Sequence, residues 1–169
     1  MVTIEQLFIF AMGLNIEVKF RNLRKMHPDL LGMADASNRT IALDQTLNQS
    51  PRQLRCVFAE EIGHIMFPPR PGHIRYHSKQ YIEANHIDRS IIQHTVAQDE
   101  RKALQWATGF LMPNVEFWQA VEEGANTVIS LNDWFDVETW FTHLKIGFIR
   151  RQVRDDGWRL RWRDVIRRG

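Results

Sequence analysis

The helix predicted over residues 51–67 constrains this chain more than any other segment. A Ser-Pro pair at 50–51 is typical of a helix start, and the Pro-Pro pair at 68–69 must end the helix. Between the two pairs, apolar residues recur at helical spacing: they are Leu54, Val57, Phe58, Ile62, Ile65 and Met66. This stripe predicts a helix with one face buried in a core. Glu60, Glu61 and His64 belong to the same predicted helix.

The other segments predict an α+β protein that is mainly helical, with a small antiparallel sheet. Pro28 and Gly32 mark a turn between the two predicted strands, and Pro113 stops the long second helix. The elements in chain order are a helix capped by Thr3 and running to about residue 14, strands over 17–23 and 38–44, and helices over 90–111 and 114–123.

The chain is expected to divide near residue 125 into a core, 1–125, and a helical segment, 126–169. The stretch around Asp136-Val137-Glu138 has the rhythm of a helix-turn-helix, and 158–163 alternates like a strand. Residues 150–169 carry eight arginines against three aspartates, so this tail is basic. The turn region is acidic and apolar where a DNA-reading helix would be polar. We therefore favour a structural pair packed on the core over a DNA reader.

The polar residues of the helix over 51–67 form a pattern that binds metals. Glu60 and His64 are four residues apart, so they lie on one helix face, one turn apart. The pattern matches the signature H-E-x-x-H, in which two histidines bind zinc and the glutamate is the general base, except that Glu60 replaces the first histidine. Glu61 is then the residue that takes a proton from water. Gly63 would keep the helix slim where a neighbour packs.

A catalytic metal site needs a third protein ligand, and Glu100 is the best candidate. It lies beside the apolar face of the helix over 90–111, which includes Ala103, Ala107 and Phe110. A carboxylate pointing inward there needs a partner, because burying it alone is costly. A metal, an arginine or a raised pKa would each satisfy it, and the helix dipole alone also favours an acid near a helix start.

The role of Glu60 stays open between ligand and surface residue. A carboxylate ligates zinc at about 2.0–2.2 Å, as imidazole does. A Glu-His-Glu set is harder than a His-His-Glu set, so manganese or iron would suit it somewhat better than zinc. His73 and His77, in the polar loop over 68–90, are accessory candidates that could supply the missing imidazole, or they are solvated loop residues. Without a metal, Glu61 and His64 would be a hydrogen-bonded polar pair.

Two sequence blocks carry a family resemblance. RQLRCVFAEEIGHIMF and ERKALQWATGFLMP together resemble the paired blocks of the ImmA/IrrE-type metallopeptidases of phages, mobile elements and bacterial stress regulators, and the likeness covers roughly residues 15–150. It implies a minimal zincin-like core. It also implies that His64 is a histidine ligand, Glu61 the general base and Glu100 the acidic ligand. Glu60 departs from the family pattern.

The resemblance implies a metal-dependent endopeptidase that cleaves a protein, typically a helix-turn-helix repressor. The alternative is a regulatory protein of the same fold with little or no proteolysis, which acts by binding a repressor or DNA. The expected cofactor is one divalent ion, zinc or else manganese or iron. A single cysteine, Cys56, suits the cytoplasm, and we expect it to be buried and inert. No apolar run is long enough to span a membrane, so no membrane association is expected.

Overall fold

The computed structural model describes residues 1–68 and 90–155. The mainly helical α+β class is confirmed. Its helices and strands are α1 (Ile4–Gly13), β1 (Glu17–Arg21), β2 (Gly32–Asp35), β3 (Thr40–Asp44), α2 (Pro51–Met66), α3 (Ser90–Leu111), α4 (Asn114–Glu122), α5 (Val128–Phe135) and α6 (Thr139–Asp155). Thr3 caps α1 as predicted, since its side chain accepts a hydrogen bond from the Gln6 N–H.

The sheet is mixed, with strand order β1–β3–β2, so the prediction of an antiparallel sheet is wrong for one of its two pairs. β1 pairs with β3 in parallel, and β2 pairs with β3 in antiparallel. Gly32 does not mark a turn but begins β2. Because this third strand reverses the chain between the two predicted strands, those two run in the same direction.

The hairpin between β2 and β3 has local causes. The Asp35 carboxylate accepts hydrogen bonds from the backbone N–H groups of Ser37 and Asn38, which is the usual way an aspartate closes a turn. Arg39 adopts a positive φ of 50° before β3 begins. The hairpin therefore lies where Asp35 can satisfy the turn backbone, and it fixes β2 at the edge of the described sheet.

α2 is the central helix of the described core. It packs against α1, α3, β2 and β3, and its residues Phe58, Ala59 and Ile62 are fully buried. A buried cluster joins these side chains to β3 through Leu43 and to α3 through Ala107. The helix that carries the candidate site residues is thus held on several sides by the sheet and by other helices.

The turn between α5 and α6 is fastened to α2 by charged and polar contacts. Asp136, which has a positive φ of 50°, accepts hydrogen bonds from Arg52 and from the buried Arg55. The backbone N–H of Glu138 donates to the Cys56 sulfur at 3.3 Å. Two helices joined by a short turn are therefore present here and the turn contacts α2, while the helix-turn-helix-like character of this segment stays a prediction. The division of the chain near residue 125 stays a prediction.

Two further expectations concern residues 69–89 and 156–169. The long loop with its histidines and the final alternating strand lie outside the described residues. Within the described ranges, no helix has both the length and the apolar character that crossing a membrane requires.

Candidate metal centre

The two metal ligands predicted on α2 lie on the same face of the helix. Glu60 and His64 are one helical turn apart, and His64 is 7 % exposed while Glu60 is partly exposed. Both residues lie in the second half of α2, where apolar neighbours such as Ile62 and Ile65 anchor the helix in the core. The i, i+4 spacing thus presents a carboxylate and an imidazole together at the edge of the core.

Glu100 reaches the same place from α3. Its Oε1 lies 3.7 Å from the His64 Nε2. One ligand atom from each of Glu60, His64 and Glu100 lies within 4.8 Å of the other two. Ligands of one tetrahedral ion at about 2.1 Å are about 3.4 Å apart, so small side-chain rotations would bring all three onto one ion. The donors are two carboxylates and an imidazole, and the set fits a single divalent cation.

Glu61 projects from α2 toward the sheet. Its side chain is fully buried, and its carboxylate lies against Gly32 at the start of β2. Because consecutive helical residues are about 100° apart around the axis, Glu61 lies beside the ligand face without sharing it. The structure therefore places three residues that could hold an ion on one side of α2 and the carboxylate of Glu61 on the side that faces β2.

Gly63 brings α2 and α3 together at the site. A Cβ at Gly63 would lie 2.6 Å from the Ala103 carbonyl oxygen, which is too close for any real contact. The expectation that this glycine keeps the helix slim is confirmed, and the neighbour is the backbone of α3. Since Gly63 precedes His64 and Ala103 is one turn after Glu100, this close approach sets the distance between the two ligands.

A family model agrees with the geometry. Peptidase_M78, described as the IrrE N-terminal-like domain, matches residues 11–142, which is well over half of the chain. The chain belongs to this family. The resemblance drawn from the two sequence blocks is thereby confirmed, and the family is of metallopeptidase type. Comparison with curated proteins and with solved structures gave no match.

The cysteine of this IrrE-like chain lies in the core. Cys56 is fully buried in α2, and burial raises the pKa of its thiol to about 12. The reactive form of cysteine is the thiolate, which is scarcely populated at such a pKa. The expected burial of this cysteine is confirmed, and its inertness stays a prediction.

Two accessory candidates from the sequence cannot be compared with the structure, and one residue at the site was not predicted from the sequence. His73 and His77 lie outside the described residues, so their role stays a prediction. Gly32 was missed, because a glycine close to a proline is typical of a turn. The strand GMAD has four residues of which only Gly32 is buried, so it shows no period-2 pattern that would identify a strand. Only the tertiary contact with Glu61 reveals what Gly32 does.

Proposed function

We propose that the chain is a metal-dependent endopeptidase. The observation that supports this most is the convergence of Glu60, His64 and Glu100 within 4.8 Å, and Glu61, which follows Glu60 on α2, is fully buried. Three protein ligands and one adjacent carboxylate are the parts that a hydrolytic metal site requires. Membership of a metallopeptidase family agrees with this arrangement.

The residues have distinct parts in the proposed reaction. Glu60, His64 and Glu100 hold one divalent cation. When bound, the cation supplies Lewis acidity, which polarises the peptide carbonyl and acidifies water. Glu61 takes a proton from the attacking water and passes it to the leaving amine. Because two of the three ligands are carboxylates, the set is harder than one with two imidazoles, and manganese or iron competes with zinc for it.

The proposed substrate is a protein, and the family resemblance points to a helix-turn-helix repressor of a phage or mobile element. Cleavage would then relieve repression in the cytoplasm, the compartment that a single buried thiol suits. We propose no membrane partner. The turn of the helix pair α5–α6 packs on α2 through Asp136 and Val137, which supports a structural part for this pair over DNA reading.

Metal content is the first test. The protein is purified without an affinity tag, incubated separately with zinc, manganese and iron, and analysed by elemental mass spectrometry. We expect about one equivalent of metal, lost in His64→Ala and Glu100→Ala. Glu122→Gln is the matched control, because Glu122 is an exposed glutamate on α4 and its loss should leave the metal bound. Failure of the wild-type protein to bind any of the three metals would contradict the proposal.

Cleavage is the second test. Glu61→Gln should still bind the metal. Its rate of repressor cleavage should fall by roughly 100-fold or more, which is the usual contribution of a general base.

The departure at Glu60 favours a second candidate, a regulatory protein that binds a repressor without cleaving it. An added negative charge lowers the Lewis acidity of the cation. In that case Glu61→Gln would spare the biological effect. Glu60→His, which restores an imidazole, should raise the preference for zinc over manganese and would increase hydrolysis if this charge limits the reaction.

A further inference from the structure

Gly32 lies directly against the side chain of Glu61. A Cβ built on Gly32 would lie 2.3 Å from the Glu61 Oε1 and 2.8 Å from both Cδ and Cγ. These are the three nearest atoms, and all belong to Glu61. No real Cβ approaches another heavy atom so closely. The end of the Glu61 side chain therefore occupies the space that a side chain at position 32 would fill.

The backbone at Gly32 does not itself demand glycine. Among the described glycines, only Gly124 has a positive φ. Gly32 lies in a regular strand, paired with Leu43 of β3. Any residue could adopt this backbone conformation, so the steric contact with Glu61 is the reason that a side chain is excluded here.

The strand cannot shift to relieve an added side chain. The residue before Gly32, Leu31, accepts a 2.8 Å hydrogen bond from the Asp44 N–H. Asp44 is buried, and its carboxylate accepts hydrogen bonds from the Leu23 N–H at 2.8 Å and from the Thr46 hydroxyl at 2.6 Å. The start of β2 is thus fixed to a network that extends across the sheet.

Glu61 has little room on its own side of the contact. Its side chain is fully buried, and so is that of Ile62, the residue that follows it on α2. Gly63 holds the same part of α2 against α3. A methyl group at position 32 would therefore turn the carboxylate away from its present place while the helix stays where it is.

We propose that Gly32 is a positioning residue, which sets the place of the Glu61 carboxylate beside the ligand set. The inference rests on the proposed function, in which Glu61 is the general base. A glutamate has three rotatable side-chain bonds, and a base must lie within hydrogen-bond reach of the proton that it removes. The bare face of Gly32 selects the rotamer that meets this condition. The three atoms nearest to a Cβ at Gly32 all belong to Glu61, and none belongs to Glu60, His64 or Glu100.

A double-mutant cycle on the metal-free protein tests the contact. Gly32→Ala should lower the Tm by roughly 3–10 °C, because overpacking a buried site is destabilising. In the Glu61→Ala background the same change should cost less than about 2 °C, since the clashing atoms are gone. Gly109→Ala is the control, because a Cβ there meets nothing within 4 Å. An equal fall in both backgrounds, or no fall with Glu61 present, would overturn the inference.

Metal binding and kinetics then separate positioning from general damage. Gly32→Ala should bind cobalt(II) with unchanged stoichiometry and a Kd within about threefold, because its contact is with Glu61. With fluorescently labelled casein as the probe, kcat should fall roughly 100-fold while KM stays within about threefold, as expected for a misplaced catalytic group. Loss of cobalt binding would show that the variant disturbs the ligands and would contradict the inference. If the wild-type protein cleaves no casein, the proposed function is in question, and the Tm cycle alone decides the inference.

Discussion

Gly63→Ala should weaken metal binding without touching a ligand. The new Cβ would lie 2.6 Å from the Ala103 carbonyl oxygen, 3.1 Å from its carbonyl carbon and 3.2 Å from its Cα. Ordinary contact begins at about 3.4 Å, so the two helices must separate by roughly 0.8 Å. The new Cβ is fixed to the backbone of α2 and the three atoms it meets are backbone atoms of α3, so no side chain can rotate out of the way.

The separation acts directly on the site, because His64 follows Gly63 and Glu100 precedes Ala103 by one turn. Metal–ligand distances tolerate errors of only about 0.2 Å. Changes that misorient ligands from outside the coordination shell typically reduce affinity about 10- to 100-fold. We expect the Kd for zinc or cobalt(II) to rise by that factor, measured by competition with a chromophoric chelator.

The matched control is Gly109→Ala on α3, where a Cβ meets nothing within 4 Å. It makes the same chemical change in a helix and should stabilise the protein by up to about 1 kcal/mol through helix propensity, with the metal Kd unchanged. If Gly63→Ala bound metal as tightly as Gly109→Ala, the close approach of α2 and α3 would not set the ligand geometry.

Other contacts give further predictions. Asp136→Ala should lower the free energy of unfolding, measured in urea, by roughly 2–3 kcal/mol, because it leaves the guanidinium of Arg55, which is 4 % exposed, without its carboxylate. Asp133→Ala removes an exposed ion pair and should lower it by less than about 0.5 kcal/mol. Burial lowers the pKa of Lys145 to about 8 from its ordinary 10.5, so the unfolded chain binds more protons between these values. The unfolding free energy should therefore rise by roughly 2–4 kcal/mol from pH 8 to 10.5 relative to Lys145→Met, and a flat difference would refute this. Iodoacetamide at pH 8 should alkylate Cys56 at least about 100-fold more slowly in the folded protein than in urea, because burial raises the pKa of its thiol to about 12. Mass spectrometry measures the rate of alkylation.

The sequence predicted the elements whose signals are local. The Ser-Pro pair before α2 and the proline after α3 fixed helix ends that the structure reproduces, with α2 over Pro51–Met66 and α3 over Ser90–Leu111. The pairing of Glu60 with His64 was equally accessible, because it depends only on the period of one helix. Glu100 was found because an acid beside an apolar helical face requires an explanation.

What the sequence did not predict depends on contacts between distant segments. β2 has only four residues, so its pattern is too short to distinguish from a turn, and missing it reversed the expected pairing of β1 with β3. Likewise, nothing near Asp136 in the sequence indicates that arginines more than 80 positions away bind it. The contact between Gly32 and Glu61 belongs to the same class, since it joins an edge strand to a helix.

The distribution of neighbours around α2 explains how one helix presents two candidate metal ligands on one face and the carboxylate of Glu61 on another. At about 100° per residue, Glu60 and His64 lie about 60° and 100° around the axis from Gly63, and Glu61 lies about 160° from it. Gly63 meets α3, and Glu61 meets β2. The two candidate ligands on α2 therefore face the groove between α3 and the edge strand, where Glu100 is the third candidate. The two glycines mark the borders of this groove. Gly63 sets the distance between α2 and α3, and Gly32 sets the position of the Glu61 carboxylate against β2.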